Sequence, residues 1–176
     1  MSDDAPIVTS KTADPERELT ARSVTIAKPA DELYAFYRDF SNLPSFMDNV
    51  VSIEPLDERR SRWVVKAPAG KTVEWIAAVT EDVPGQSITW TSEEGADVPN
   101  SGRIEFRDAG ARGTVVTATI AYDPPAGVIG KVVAKLFRRE PAIQVRRDLR
   151  RFKQLMETGE VATSSRTAAQ LAEERA

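Results

Sequence analysis

The sequence predicts an α+β fold: a curved, seven-stranded antiparallel sheet around a long C-terminal helix, in the order β-α-α-β-β-β-β-β-β-α. Three observations carry that expectation. Seven segments alternate apolar and polar residues and follow one another through short turns, which suits antiparallel pairing rather than parallel crossovers. Two small helix-like segments interrupt the series after the first strand. The last periodic segment, Pro141 to Thr158, repeats Val145, Leu149, Phe152 and Met156 at steps of four, three and four, one face of a helix that needs an apolar surface to cover.

The elements follow in order. Residues 1–17 are polar and aperiodic and are expected to form a flexible tail ahead of a domain over 18–159, with a second such tail over 160–176. Glu18 to Ile26 alternates into β-branched residues and reads as a strand with Val24 and Ile26 on one face. Pro29 suits a first helical turn, Asp31 and Glu32 favour its positive end, and Leu33, Phe36, Tyr37 and Phe40 form its apolar face. Asn42-Leu43-Pro44 breaks that helix, and Ser45 is placed to cap a second short turn carrying Phe46 and Met47. Strands follow over Val50 to Leu56, Arg62 to Ala67, Thr72 to Asp82, Ser87 to Ser92, Gly102 to Asp108 and Thr114 to Tyr122. Alternation puts Trp63 and Val65, then Val73, Trp75, Ala77 and Val79, then Ile88 and Trp90, Ile104 and Phe106, and Val116, Ala118, Ile120 and Tyr122 on the inner face. Ile76 and Val115 fall on the outer face, where single apolar residues are ordinary.

Composition excludes several kinds of chemistry. The 176 residues contain no cysteine and no histidine. Disulfides, thiolate nucleophiles, Ser-His-Asp triads and His-based zinc sites are therefore impossible, and no cofactor or metal is expected. No apolar run approaches a membrane span, and residues 1–18 lack a basic start and an apolar block, so no secretory signal is expected. The absence of cysteine fits a reducing cytoplasm, the expected location, with peripheral contact at the inner membrane face as an addition.

The net charge of −3 hides an asymmetry. Residues 131–153 carry nine basic side chains against Glu140 and Asp148. Such a segment is either a solvated helix face paired with an acidic body or a contact for an anionic partner. No nucleic-acid docking motif accompanies it, so nucleic acid is not an expected partner. Just ahead of the last helix, Val128, Ile129, Val132, Val133, Leu136 and Phe137 form an apolar stripe beside Lys131, Lys135, Arg138 and Arg139. That stripe reads as a lid, as an interfacial membrane contact through those four basic residues, or as a packed extension of the helix.

The aromatic residues are the candidate site. Trp63, Trp75 and Trp90 lie on three strands and share the inner face with Val65, Phe106 and Tyr122. Phe36, Tyr37, Phe40 and Phe46 come from the small helices, Phe137 from the stripe and Phe152 from the last helix. They converge on one space, which is either a packed core or the wall of a cavity for an apolar ligand. No carboxylate pair stands out. Tyr37, Tyr122 and Asp97 are the polar residues nearest to a chemical role.

Three stretches carry a resemblance: KPADELYAFYRDFSNLPSFM, SRWVVKAPAGKTVEW and RREPAIQVRRDLRRFKQLMETGEV. With them, residues 18–162 resemble the bacterial cyclase/dehydrase branch of the START-like (SRPBCC) superfamily, which includes polyketide cyclases and coenzyme-Q-binding START proteins. The resemblance implies a helix-grip fold with a cavity between sheet and terminal helix. It implies a ligand such as a lipid, a polyprenyl quinone or a polyketide. The cavity face would then include Trp63, Val65, Trp75, Trp90, Phe106, Tyr122 and Phe152, with Phe36, Tyr37 and Phe46 from the small helices and Phe137 from the lid. No catalytic motif transfers. The expected function is binding or transport of a hydrophobic small molecule, with a polyketide cyclase/aromatase and a membrane-surface module as alternatives.

Overall fold

The computed structural model describes residues 18–122 and 141–161. Seven strands form one antiparallel sheet: β1 (Glu18–Ile26), β2 (Val50–Pro55), β3 (Arg60–Lys66), β4 (Thr72–Val83), β5 (Ser87–Ser92), β6 (Asn100–Asp108) and β7 (Thr114–Tyr122). Their spatial order is β1-β7-β6-β5-β4-β3-β2. From β2 to β7 each strand pairs with its successor, as short turns dictate. β1 closes the opposite edge on β7 in unbroken register from Glu18↔Tyr122 to Ile26↔Thr114. The chain must therefore cross the whole sheet between β1 and β2. That crossing carries helix α1 (Ala30–Arg38) and a 3-10 turn over Phe40–Ser45.

The second small helix is displaced from its expected place. It spans the Asn42-Leu43-Pro44 segment that reads as a break, and Ser45 ends it rather than capping a later turn. Asp39 starts the turn by accepting from the Ser41 amide at 3.2 Å, and the Ser45 hydroxyl donates back to the Asn42 carbonyl at 2.5 Å. The Asn42 amide bonds to the Asp39 carbonyl at 2.9 Å and the Phe46 amide to the Leu43 carbonyl at 3.1 Å, so the turn closes without a donor from Pro44. Phe46 and Met47 follow the turn. β3 and β6 each begin two residues earlier than the alternation suggests, because Arg60↔Ala78 and Asn100↔Tyr122 are already paired.

One irregularity changes what faces inward. In the β4–β5 ladder Val79 pairs with Trp90 and Glu81 with Thr89, leaving Thr80 as a bulge. A bulge shifts the side-chain phase by one. Up to Val79 the odd-numbered residues face inward; beyond the bulge Asp82 lies opposite the fully buried Ile88. Ile76 and Val115, on the outer face, are half-buried.

Helix α2 (Pro141–Thr158) lies along β1. Its face Val145, Leu149 and Phe152 is buried, and Met156 packs beside it. It is fastened on both flanks. The Lys153 ammonium donates to the Thr25 carbonyl at 2.6 Å, and the Glu157 carboxylate accepts from the Ala27 amide at 2.8 Å. On the other side Arg151 pairs with Asp48. Arg151 and Lys153 thus tie the helix to its surroundings, where the sequence suggests charges turned to water. The helix stops at Gly159, whose positive φ of 76° lets its amide close on the Leu155 carbonyl at 2.8 Å. Val161, just past the expected domain end, still packs on the core. The tail over residues 1–17, most of the tail over 160–176 and the stripe 124–140 lie outside the described residues.

Candidate functional site

The concave face of the sheet, α1, the 3-10 turn and α2 enclose the candidate site. Phe36, Tyr37, Phe40, Phe46, Trp63, Trp75, Phe106 and Phe152 form one connected network of rings. Phe46 stacks on Phe152 with centroids 5.0 Å apart, and Phe36 stacks on Phe152 at 6.1 Å. Tyr37 meets Phe152 edge-on at 5.7 Å and Phe106 at 6.2 Å. Tyr37 also meets Phe40, and Phe40 meets Trp63 at 6.0 Å. Trp63 stacks on Trp75 at 6.2 Å, as their direct pairing across β3 and β4 requires. Edge-to-face and offset contacts of this kind add about 1 kcal/mol each beyond the area they bury.

Burial divides the aromatic residues of the site in two. Phe46, Phe152, Tyr37, Phe40 and Phe106 are buried and make a packed wall. Trp63, Trp75, Trp90, Tyr122 and Phe36 are half-buried. Val65 belongs to a neighbouring cluster with Val73 and Val98, against which Trp75 and Tyr122 pack. Trp90 lies across its strand partner Gly102, where a β-carbon would collide with the indole ring. Eleven of the twelve residues expected at the site thus belong to these two adjoining clusters; Phe137 lies outside the described residues.

Polar groups enter this apolar face at defined points. The Trp63 indole donates to the Ser61 hydroxyl at 2.9 Å, and Ser61 is itself buried. Asp82, turned inward by the bulge, accepts from the Tyr34 hydroxyl and, at 2.7 Å, from Arg38. Burial pushes the Asp82 carboxyl up, but those two bonds and the Arg38 charge hold it below the ordinary aspartate value. Burial and the Asp82 bond push the Tyr34 phenol up to about 12. Register with β7 also places Thr20 and Arg22 on the face shared by Val24 and Ile26.

Asp148 is the polar residue that sequence reading misses. On α2 it sits one step before Leu149, and its carboxylate accepts from the Gln144 amide at 2.9 Å. Burial pushes its carboxyl up to about 7. The Gln144 bond and the charges of Arg151 and Arg147 oppose that rise, while Asp48 adds to it. Tyr37, from α1, is raised by its own burial and by the Asp148 charge. In sequence Asp148 looks like one more charge on a basic helix; only its position beside Leu149 hints at the half-buried flank. Asp97 plays a structural part instead, because its carboxylate accepts from the Glu74 amide at 2.9 Å and so fastens the 93–99 loop to β4. Among the described residues no group of three acidic or other ligating side chains is placed to hold a metal ion.

A family model described as polyketide cyclase / dehydrase and lipid transport matches residues 26–150. The chain belongs to that family. The resemblance read from YAFYRDFSNLPSFM and the terminal helix is thereby borne out, and the architecture is the helix-grip fold of this group. An uncharacterised 17.2 kDa protein of Streptomyces lincolnensis is 29% identical over 136 residues, 77% of this chain and 87% of its own. The crystal structure of DR_A0006 from Deinococcus radiodurans is 44% identical, covers 81% of this chain and 98% of its own, and superposes with a TM-score of 0.66. The Zhui aromatase/cyclase of Streptomyces sp. R1128 shares the fold at 18% identity and a TM-score of 0.64, covering 83% of this chain and 99% of its own.

Proposed function

We propose that this protein binds a hydrophobic small molecule between the concave sheet face and α2, and acts as a carrier of that ligand. The observation that carries the reading is the unequal burial of the aromatic residues on one face. Phe46, Phe152, Tyr37, Phe40 and Phe106 pack against one another, while Trp63, Trp75, Trp90 and Tyr122 keep part of their surface open on the same face. Large apolar rings left half-covered beside a finished core are what a flat apolar ligand would complete. Membership of a lipid transport and polyketide cyclase family supports the ligand class. A lipid, a polyprenyl quinone or a polyketide-like molecule fits this wall. Native mass spectrometry of the protein purified without detergent tests it: an apolar molecule should remain bound, and replacing Trp63 and Trp90 with alanine should release it. Retention of the same molecule by the double variant would assign it another site.

A second reading, a cyclase-type enzyme, is favoured by Asp148 alone. A carboxyl raised to about 7 can both give and take a proton near neutral pH, in a chain that has no histidine to do so. Tyr37 is its nearest phenolic partner by charge. Under this reading Asp148→Asn abolishes turnover of a polyketide-like substrate while leaving its binding intact; unchanged turnover removes Asp148 from the chemistry.

A further inference from the structure

Helix α2 turns a second, unrelated surface outward. Ile143, Arg146, Arg147, Arg150, Arg151 and Gln154 line an open groove of about 330 Å³ along its outer side. Their spacing follows the three- and four-residue rows of one helix flank. Four of the six lining residues carry guanidinium groups, of which Arg151 is already paired with Asp48, and none carries a carboxylate. Arg146, Arg147 and Arg150 are exposed, and Ile143 keeps 47% of its surface open at the N-terminal end of the groove. The chain as a whole is negative, at −3, so this positive surface is a local feature of α2.

We propose that this groove docks the protein on membranes through anionic lipid headgroups, with Ile143 entering the interface beside them. A guanidinium presents paired donors that match phosphate and carboxylate oxygens, and a row of them attracts a surface of such groups more strongly than a single ion. A helix of 18 residues is about 27 Å long, enough for several headgroups side by side. Nucleic acid suits the groove less well: none of the lining residues is aromatic, so bases find no ring platform to stack on, and an exposed isoleucine adds nothing to a phosphate backbone. The docking needs no ligand in the sheet–helix site, so it stands apart from the carrier reading.

Flotation of the full chain with vesicles separates the outcomes. Binding is expected to phosphatidylcholine vesicles containing phosphatidylserine, to fall as salt rises, and to be weak on phosphatidylcholine alone. The double variant Arg146→Glu/Arg150→Glu should lose about 25-fold or more in binding, each arginine counting for roughly a factor of five near an anionic surface. Ile143→Ser should weaken binding and leave its salt dependence in place. Lys71→Glu, an equal change per site on an exposed turn away from α2, should leave it unchanged. Thermal melts in the same buffer confirm that each variant is folded at the assay temperature. Equal binding by the arginine double variant overturns the proposal, as does an equal loss with Lys71→Glu. Tighter binding to a single-stranded oligonucleotide than to the anionic vesicles overturns it in favour of nucleic acid.

Discussion

At the scale of single residues, Gly102 and Asp148 determine most of the site's character. Gly102 is glycine because Trp90, its partner across the ladder, lies flat over it. Gly102→Ala inserts a β-carbon into the indole ring, so Trp90 must rotate away. The expected cost is about 1–3 kcal/mol in chemical denaturation, with a shift in tryptophan emission; an unchanged spectrum would contradict the packing described. Asp148 gives a pH signature. Its folded value of about 7 lies above the ordinary aspartate value, so the folded chain holds a proton that the unfolded chain has released. Its contribution is therefore fully favourable below about pH 4 and is lost as pH rises through about 7. Asp148→Asn should melt higher than the parent at pH 8, by on the order of 1–2 kcal/mol after allowance for partial exposure, and close to it at about pH 4. Equal differences at both pH values would show that Asp148 is not held neutral in the fold.

At the scale of elements, α2 and β4 show where sequence periodicity suffices and where it does not. The α2 boundaries, Pro141 to Thr158, and its buried residues Val145, Leu149 and Phe152 follow directly from the helical spacing. Burial in a helix interface is a property of one segment's pattern, so it is readable. Phe152 is fully buried against Phe46, Phe36 and Tyr37, and Phe152→Ala should cost about 3–5 kcal/mol in urea unfolding. A loss near 1 kcal/mol would mean that the wall is loosely packed. The β4 strand behaves differently. Alternation in Thr72–Asp82 sends Asp82 outward, and the bulge at Thr80 reverses it. A bulge is set by how two strands pair, which one strand's pattern does not encode. The Tyr34–Asp82–Arg38 contact, which fixes α1 to the sheet, is hidden for the same reason. The 3-10 turn falls elsewhere than expected because proline reads as a stop, whereas the shorter hydrogen-bonding pattern accommodates Pro44.

At the scale of the whole molecule, the antiparallel seven-stranded sheet and its gripped helix are legible because turn signals separate every strand pair from β2 to β7. The clustering of the aromatic residues is legible, since the face of each strand residue follows from alternation and that of Phe152 from helical spacing. It is not legible in depth. Nothing in the spacing separates the buried Phe46 and Phe106 from the half-open Trp63 and Trp90, because that depends on which elements from elsewhere cover each ring. Among the described residues no helix is long and apolar enough to cross a membrane. All three tryptophans, Trp63, Trp75 and Trp90, lie on the concave face, so their emission reports directly on whether that face takes a ligand. The decisive measurement is a titration of intrinsic fluorescence with N-phenyl-1-naphthylamine, a neutral apolar probe. The carrier account predicts saturable quenching with one probe per chain, lost in Trp63→Ala/Trp90→Ala; a linear, unsaturable response identical in parent and variant would contradict it.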